Sequence, residues 1–239
     1  METPLYVLLS QQDAIQRQLT SVAQNVANAN TSGYKSRDVL FADFVSSPDG
    51  RTQHHFVIDK AMMRNTSQGP LMKTGNPLDL AINGQGYFSV QTPQGVQYTR
   101  QGAFQLDSEG NIVTLDGHRV LSADGQGITI PDGATEIAIG ADGIVSTNLG
   151  DVGRVQPVRF ENEQAMHETY NGLYLSDEPP QPDTQSVVSQ GMIESSNVKP
   201  IAEISRIIEI SRSYQRISNL INTENDRMRN AIRDLGRPA

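Results

Sequence analysis

Apolar side chains at Leu5, Leu8, Ile15, Leu19, Val22 and Val26, with Gln12 completing the series, fall alternately three and four residues apart. That spacing places them on one stripe of a helix and predicts an amphipathic α-helix from Thr3 to about Asn28. The pattern stops at Asn28-Ala29-Asn30-Thr31-Ser32-Gly33, a run of turn formers suited to a helix C-terminus. A second stripe runs through Ile207, Ile210, Tyr214, Ile217, Ile221, Met228, Ala231 and Leu235, interrupted only at Glu224. Ile201, Ile204 and Ile208 widen it, Ser195, Ser196 and Asn197 are candidate N-caps, and Gly236 and Pro238 end it. At 1.5 Å per residue such a helix is roughly 50–55 Å long, too long to lie across a compact domain of this size.

Between the helices the period changes. From about Gly69 to Gln190, short alternating runs are separated by Gly-containing turns. Phe88–Gln91, Gln97–Arg100, Phe104–Leu106, Ile112–Thr114, Arg119–Leu121, Ile128–Ile130, Glu136–Ile139 and Val155–Phe160 read as strands. Glu109-Gly110, Asp116-Gly117, Asp124-Gly125, Asp132-Gly133 and Asp142-Gly143 read as turns. Strands at this spacing predict an antiparallel sandwich or partial barrel. Residues 36–68 and the proline-containing stretch 176–190 read as extended connectors.

The expected fold class is therefore α+β: N- and C-terminal helices forming a coiled-coil-like arm, plus a central antiparallel all-β domain. The expected segments are 1–35, a helix; 36–68, a connector; 69–190, the β domain; and 191–239, a second helix. The two seams can meet as an antiparallel pair or pack against equivalent helices of other subunits. An isolated helix as short as the first is marginal in water. With the length of the second, this favours packing between subunits, with termini that order when many seams come together.

Composition narrows the function classes. Hydrophobic residues make up 36% of the chain and Trp is absent, so the core is aliphatic and modest. The net charge of −8, with Lys and Arg scattered, argues against nucleic-acid binding. No apolar run is long enough to span a bilayer, so no direct membrane insertion is expected. The Met1-Glu2-Thr3-Pro4 start carries an acid where a secretory signal carries basic residues, so no cleaved signal is expected. With no cysteine there is no disulfide framework and no thiol nucleophile.

Candidate chemistry is thin. Gly84-Gln85-Gly86 is followed by Ser89 and a strand pattern, which suits a tight turn rather than a dinucleotide loop. Asp107-Ser108-Glu109-Gly110-Asn111 lacks the ligand set of a calcium loop. His54 and His55 would face opposite sides of a strand, and His118 and His167 are isolated. Asp177-Glu178 lies beside prolines, as solvated charge rather than a buried acid pair. No Gly-x-Ser-x-Gly elbow is present. No cofactor, metal or catalytic residue is expected.

Four ordered motifs carry a family resemblance over nearly the whole chain. Asn25-Val26-Ala27-Asn28-Ala29-Asn30-Thr31-Ser32-Gly33-Tyr34-Lys35 resembles the N-terminal signature of flagellar rod and hook proteins. Gly75-Asn76-Pro77-Leu78-Asp79-Leu80-Ala81-Ile82-Asn83-Gly84-Gln85-Gly86-Tyr87-Phe88 is similar to their central motif, with Tyr98-Thr99-Arg100-Gln101-Gly102-Ala103-Phe104 following. Glu194-Ser195-Ser196-Asn197-Val198 and Arg212-Ser213-Tyr214-Gln215 match the opening and the signature of their C-terminal helix. Tyr34 and Tyr87 stand where Phe is commoner. Within that family the chain is most similar to proximal-rod subunits, with distal-rod subunits the nearest alternative and a soluble periplasmic binding module a more distant one.

The resemblance implies a structural, non-enzymatic subunit of the basal-body rod. It is exported through the flagellar type III apparatus without a cleaved signal and stacked helically in the periplasm with itself and other rod proteins. The expected assembly interface is Leu5, Leu8, Ile15, Leu19, Val22, Asn25, Val26 and Asn28, with Ile207, Ile210, Tyr214, Ile217, Ile221, Met228 and Leu235. Asn25, Asn28 and Asn30 with Thr31 fix either a plain helix stop or a bend leading to the next subunit.

Overall fold

The computed structural model describes residues 3–46 and 54–235, with side chains for 5–41 and 61–233. Helix α1 covers Thr3–Ala27, the hairpin strands β1 and β2 cover Arg37–Ser46 and His54–Arg64, and helix α2 covers Pro200–Leu235. Sixteen further short strands lie between Leu71 and Glu194. The α+β class with a central antiparallel β region holds.

The chain divides into two compact units. One comprises 1–27, 37–65 and 199–239; the other comprises 28–36 and 66–198. In the first, α1 and α2 run antiparallel. Asn25 and Ser21, near the end of α1, hold Arg37 at the start of β1, and Asp38 pairs with Arg206 near the start of α2. Gln12 then meets Tyr214, fifteen residues before the end of α1 and fourteen after the start of α2. Both seams are withdrawn from water: Val22 and Ile210 are buried, and Leu5, Leu8, Ile15, Leu19, Val26, Ile207, Tyr214, Ile217, Ile221 and Met228 are half-buried. The seam of α1 thus meets that of α2 within one chain, which leaves most of its residues half-buried. Helix α2 outlasts it, because the start of α1 stands level with about residue 223, leaving roughly 18 Å of α2 beyond.

Residues 36–68, expected as a connector, are mostly the hairpin. Arg37–Ser46 pairs antiparallel with Arg64–His54, with a bulge at Leu40/Phe41. The runs Val39-Leu40-Phe41 on β1 and Phe56-Val57-Ile58 on β2 are strong strand formers, and pairing, the first with Met62, Ala61 and Asp59 and the second with Phe44, Asp43 and Ala42, satisfies their backbone groups. His54 and His55 fall on β2, and their side chains lie outside the described residues.

In the second unit seven strands form one antiparallel sheet. Their order is His167–Glu168, Leu173–Leu175, Gly95–Thr99, Phe88–Thr92, Arg119–Val120, Ile112–Thr114 and Phe104–Leu106. Its core is mostly aliphatic, with Leu80, Ile82, Val90, Ile112, Val120, Ile128 and Val145 nearly inaccessible around Phe88. An aromatic cluster of Tyr87, Tyr98, Phe160 and Tyr174 lies beside Met166, its rings meeting edge to face. Gly110, Gly117, Gly125, Gly133 and Gly143 all take positive φ, so the five acidic-Gly turns are where the sequence put them.

Two strand expectations shrink. Ile128–Ile130 makes only bridging bonds to Gly110–Ile112, and Pro157, which has no amide hydrogen, limits the Val155–Phe160 run to Val158–Arg159. The stretch 176–190 is more than a connector: Val187–Gln190 pairs with Leu80–Asn83. Asp107 turns its carboxylate on its own loop, accepting the amides of Glu109 and Asn111.

Candidate assembly surface and a buried ion cluster

The residues expected at an assembly interface fall into three groups. The apolar seam residues of α1 and α2 up to Ile221 line the helix pair just described. Asn25, 1% exposed, is spent on the chain itself: its side-chain amide donates to the Arg37 carbonyl and its oxygen accepts the Arg37 amide, both at 2.9 Å. Asn28 accepts from the Thr31 amide and hydroxyl at 3.1 Å, which turns the chain after α1. Met228, half-buried, stands past the start of α1, and the Leu235 side chain lies outside the described residues.

What α2 leaves in water is a different stripe. Ile201 is 84% exposed, Ile204 49% and Ile208 47%, and further along Leu220 and Ile232 are exposed too. Ile201, Ile204 and Ile208 share one face at helical spacing, rotated away from the seam that carries Ile207, Ile210 and Tyr214. On α1, Tyr6 and Leu9 are likewise exposed. Three isoleucines on one exposed helical face are more than scattered surface apolarity. The sequence pattern reads the three isoleucines as a broadening of the seam, outside the expected assembly residues; their i, i+3, i+7 spacing is what signals a separate apolar face.

The second unit holds a constellation that no local pattern announces. Lys35, Arg100 and Glu194 are each almost fully buried. Lys35 Nζ lies 2.6 Å from Glu194 Oε1 and also donates to the Ser67 carbonyl at 2.8 Å. Arg100 Nη1 lies 3.3 Å from Glu194 Oε2, and its Nη2 donates to the Gly84 carbonyl at 2.7 Å. The Gly69 amide donates to Glu194 Oε1 at 2.9 Å. The Arg100 guanidinium sits 5.1 Å from the centre of the Tyr87 ring, whose hydroxyl donates to Glu163 at 3.1 Å. Burial pushes the Lys35 ammonium below the ordinary lysine range, and the Glu194 carboxylate pulls it part of the way back.

The backbone around the cluster is fitted as closely as its charges. A Cβ on Gly69 would fall 1.9 Å from the Ser195 carbonyl oxygen, and one on Gly33, at φ +69°, would fall 2.6 Å from the Arg100 backbone. The Gly33 amide donates to the Glu194 carbonyl. Asn197, expected as a cap for α2, instead accepts the Ser36 amide and donates to the Ser67 carbonyl, and α2 starts later, at Pro200. Proline suits a first helical turn, where its missing N–H has no partner to lose. The cluster has the chemistry of a structural clamp: both cations face the one carboxylate of Glu194, each with one of its oxygens. Among the described residues no group of His, Asp and Glu is placed to hold a metal ion, and no helix is long and apolar enough to cross a membrane.

Three family models match the chain: the flagella basal body rod protein at 5–35, the flagellar hook protein FlgE/F/G D1 domain at 81–147 and the flagellar basal body rod FlgEFG protein C-terminal at 189–234. Lys35, Arg100 and Glu194 come one from each of these regions. Over 99% of both chains, the sequence is 40% identical to the flagellar basal-body rod protein FlgF of Caulobacter vibrioides and 35% identical to that of Rhizobium meliloti. It is 33% identical to the FlgG of the same Caulobacter, over 84% of this chain and 87% of that protein. The chain belongs to the flagellar basal-body rod protein family and within it is most like FlgF.

Proposed function

We propose that the chain is a structural subunit of the proximal part of the flagellar basal-body rod, polymerising helically into the shaft that carries torque from motor to hook. The observation that carries this reading is the exposed Ile201–Ile204–Ile208 face on a helix whose inner seam is already closed. A monomer that buried its apolar surface for its own stability would not leave three isoleucines in water along one face; a polymer subunit buries them against its neighbours. The overhang of α2 past α1 supplies further seam, from Met228 onward, for the same use. Family membership and full-length similarity to FlgF support the rod and its proximal part; similarity to FlgG leaves the distal rod as the second reading.

The partners are other copies of this chain and other rod proteins, and the flagellar type III apparatus delivers it to the periplasm. The subunit is not an enzyme: its buried carboxylate at Glu194 is neutralised by Lys35 and Arg100, which suits a clamp and not proton transfer. Electron microscopy of hook–basal bodies from a strain lacking the gene tests the reading. Rods that are missing or stop short, with no hook, are expected, and the point at which they stop separates proximal from distal. Intact rods with normal swimming would overturn it.

A further inference from the structure

We infer that the Lys35–Glu194–Arg100 cluster is a latch that closes the β unit last, by joining segments from its two ends, and that it opens independently of the seven-stranded core. The contacts it closes are among the longest in sequence: 159 residues separate Lys35 from Glu194, 125 separate Gly69 from Glu194 and 94 separate Arg100 from Glu194. The strands of the sheet, by contrast, are mostly paired through short turns. Local pairings form first and long closures follow, because loop entropy opposes the latter.

Charge makes the closure conditional. Without Glu194, the site would enclose the Lys35 ammonium and the Arg100 guanidinium against the Ser67 and Gly84 carbonyls and the Tyr87 ring, with the Glu163 carboxylate acting on Lys35 from farther off. Burying cations so poorly opposed is strongly unfavourable, so they stay hydrated and segments 33–36 and 67–70 stay undocked until the carboxylate arrives. Glu194 then does four things together. Its carboxylate takes Lys35, Arg100 and the Gly69 amide, and its carbonyl takes the Gly33 amide. The next residues follow it in, with the Ser195 amide on the Pro70 carbonyl and the Asn197 amide on the Tyr34 carbonyl. At Gly33 and Gly69 the docked segments approach the Arg100 and Ser195 backbone too closely for a side chain. Segments 33–36, 67–70 and 194–197 therefore dock as one cooperative shell, whose opening is separate from that of the core. A chain in which the carboxylate has not reached the site holds its sheet but not the segments that lead out of the unit.

Hydrogen exchange on the full-length protein tests this residue by residue. In Glu194→Gln the amides of Gly33, Gly69, Ser195 and Asn197 should exchange on the order of a hundredfold or more faster, while those of Ile112 and Leu121, bonded within the sheet region, keep their protection. A uniform rise across the unit, or none at Gly33 and Gly69, would overturn the latch. If the variant fails to fold, native-state exchange of the wild-type chain in low urea decides instead. The four shell amides should then share one opening that precedes that of Ile112 and Leu121; exchange of all six only with global unfolding would overturn the proposal.

Discussion

The side-chain amide of Gln12 donates to the hydroxyl of Tyr214 at 3.0 Å, across 202 residues of sequence. Each carries a polar group within its helix's seam, and the two polar groups meet. Apolar contacts slide easily along a helix pair, whereas a hydrogen bond between two half-buried groups is satisfied in only one register. Tyr214→Phe should therefore destabilise the purified chain by about 1 kcal/mol, and Gln12→Leu by a similar amount. The double variant Gln12→Leu, Tyr214→Phe should recover much of the loss, because no polar group is then left unpaired. Denaturant melts arranged as a double-mutant cycle measure the coupling, and strict additivity would show that the bond contributes nothing.

A second prediction separates the inner seam from the outer stripe. Leu19→Asp or Ile217→Asp places a charge in the contact between α1 and α2 and should cost several kcal/mol. Helix content and melting temperature of the isolated chain should both fall, and swimming should be lost. Ile204→Asp, on the exposed face, should leave the isolated chain within about 0.5 kcal/mol of wild type while preventing its recovery in basal bodies. If Ile204→Asp swims normally, the outer stripe is not the assembly face; if Leu19→Asp melts normally, the seam is not closed within the chain.

These two surfaces also show what was legible from the amino acids. The three–four spacing of Leu5 to Val26 and of Ile207 to Ile221 specifies which side chains turn inward on each helix, and the structure turns them inward. Nothing in that spacing says whose helix they meet, since a partner in the same chain and one in a neighbour present the same apolar surface. The hairpin of Arg37–Arg64 was obscured by a run of consecutive apolar residues that lacks the alternation of a half-buried strand. Leu71–Lys73 and Met192–Glu194 are three-residue strands whose partners lie more than a hundred residues apart, so neither carries a local signal. Glu194 was visible only as part of a family motif, because the two cations that make its burial tolerable are supplied from Lys35 and Arg100.

A third prediction concerns glycines that share a residue type but not a reason. A Cβ at Gly102 would lie 1.6 Å from the Leu80 carbonyl oxygen, where the Leu80 amide donates to the Gly102 carbonyl at 2.8 Å. Backbone on both sides leaves no flexible atom to yield, so Gly102→Ala should cost about 3 kcal/mol or more. Gly75 has open space around its Cβ position and is held only by φ +80°. Gly75→Ala should cost about 1–2 kcal/mol, from the left-handed backbone alone. Thermal melts of the two variants should keep that order, and a reversed order would mean that the Leu80–Gly102 approach relaxes at little cost.

A fourth prediction follows from Asp183. Burial pushes its carboxyl up, but the Ser186 hydroxyl and the amides of Gln185 and Ser186 all donate to the charged form and outweigh it, so the group ends below the ordinary carboxylate range. A carboxyl whose folded pKa lies below its unfolded value contributes stability that is complete above the unfolded value, near 3.9. That stability is lost as pH falls through the folded value. Titration of wild-type stability from about pH 6 down to about pH 2 should therefore show an acid limb to which Asp183 contributes. Asp183→Asn should lower stability at neutral pH, because a neutral amide accepts the three donors less strongly, and should flatten the part of the acid limb that Asp183 supplies. The difference between the two proteins should shrink as pH falls. A difference that stayed constant down to the lowest pH would mean that the ionised form of Asp183 is not what the Ser186 turn stabilises.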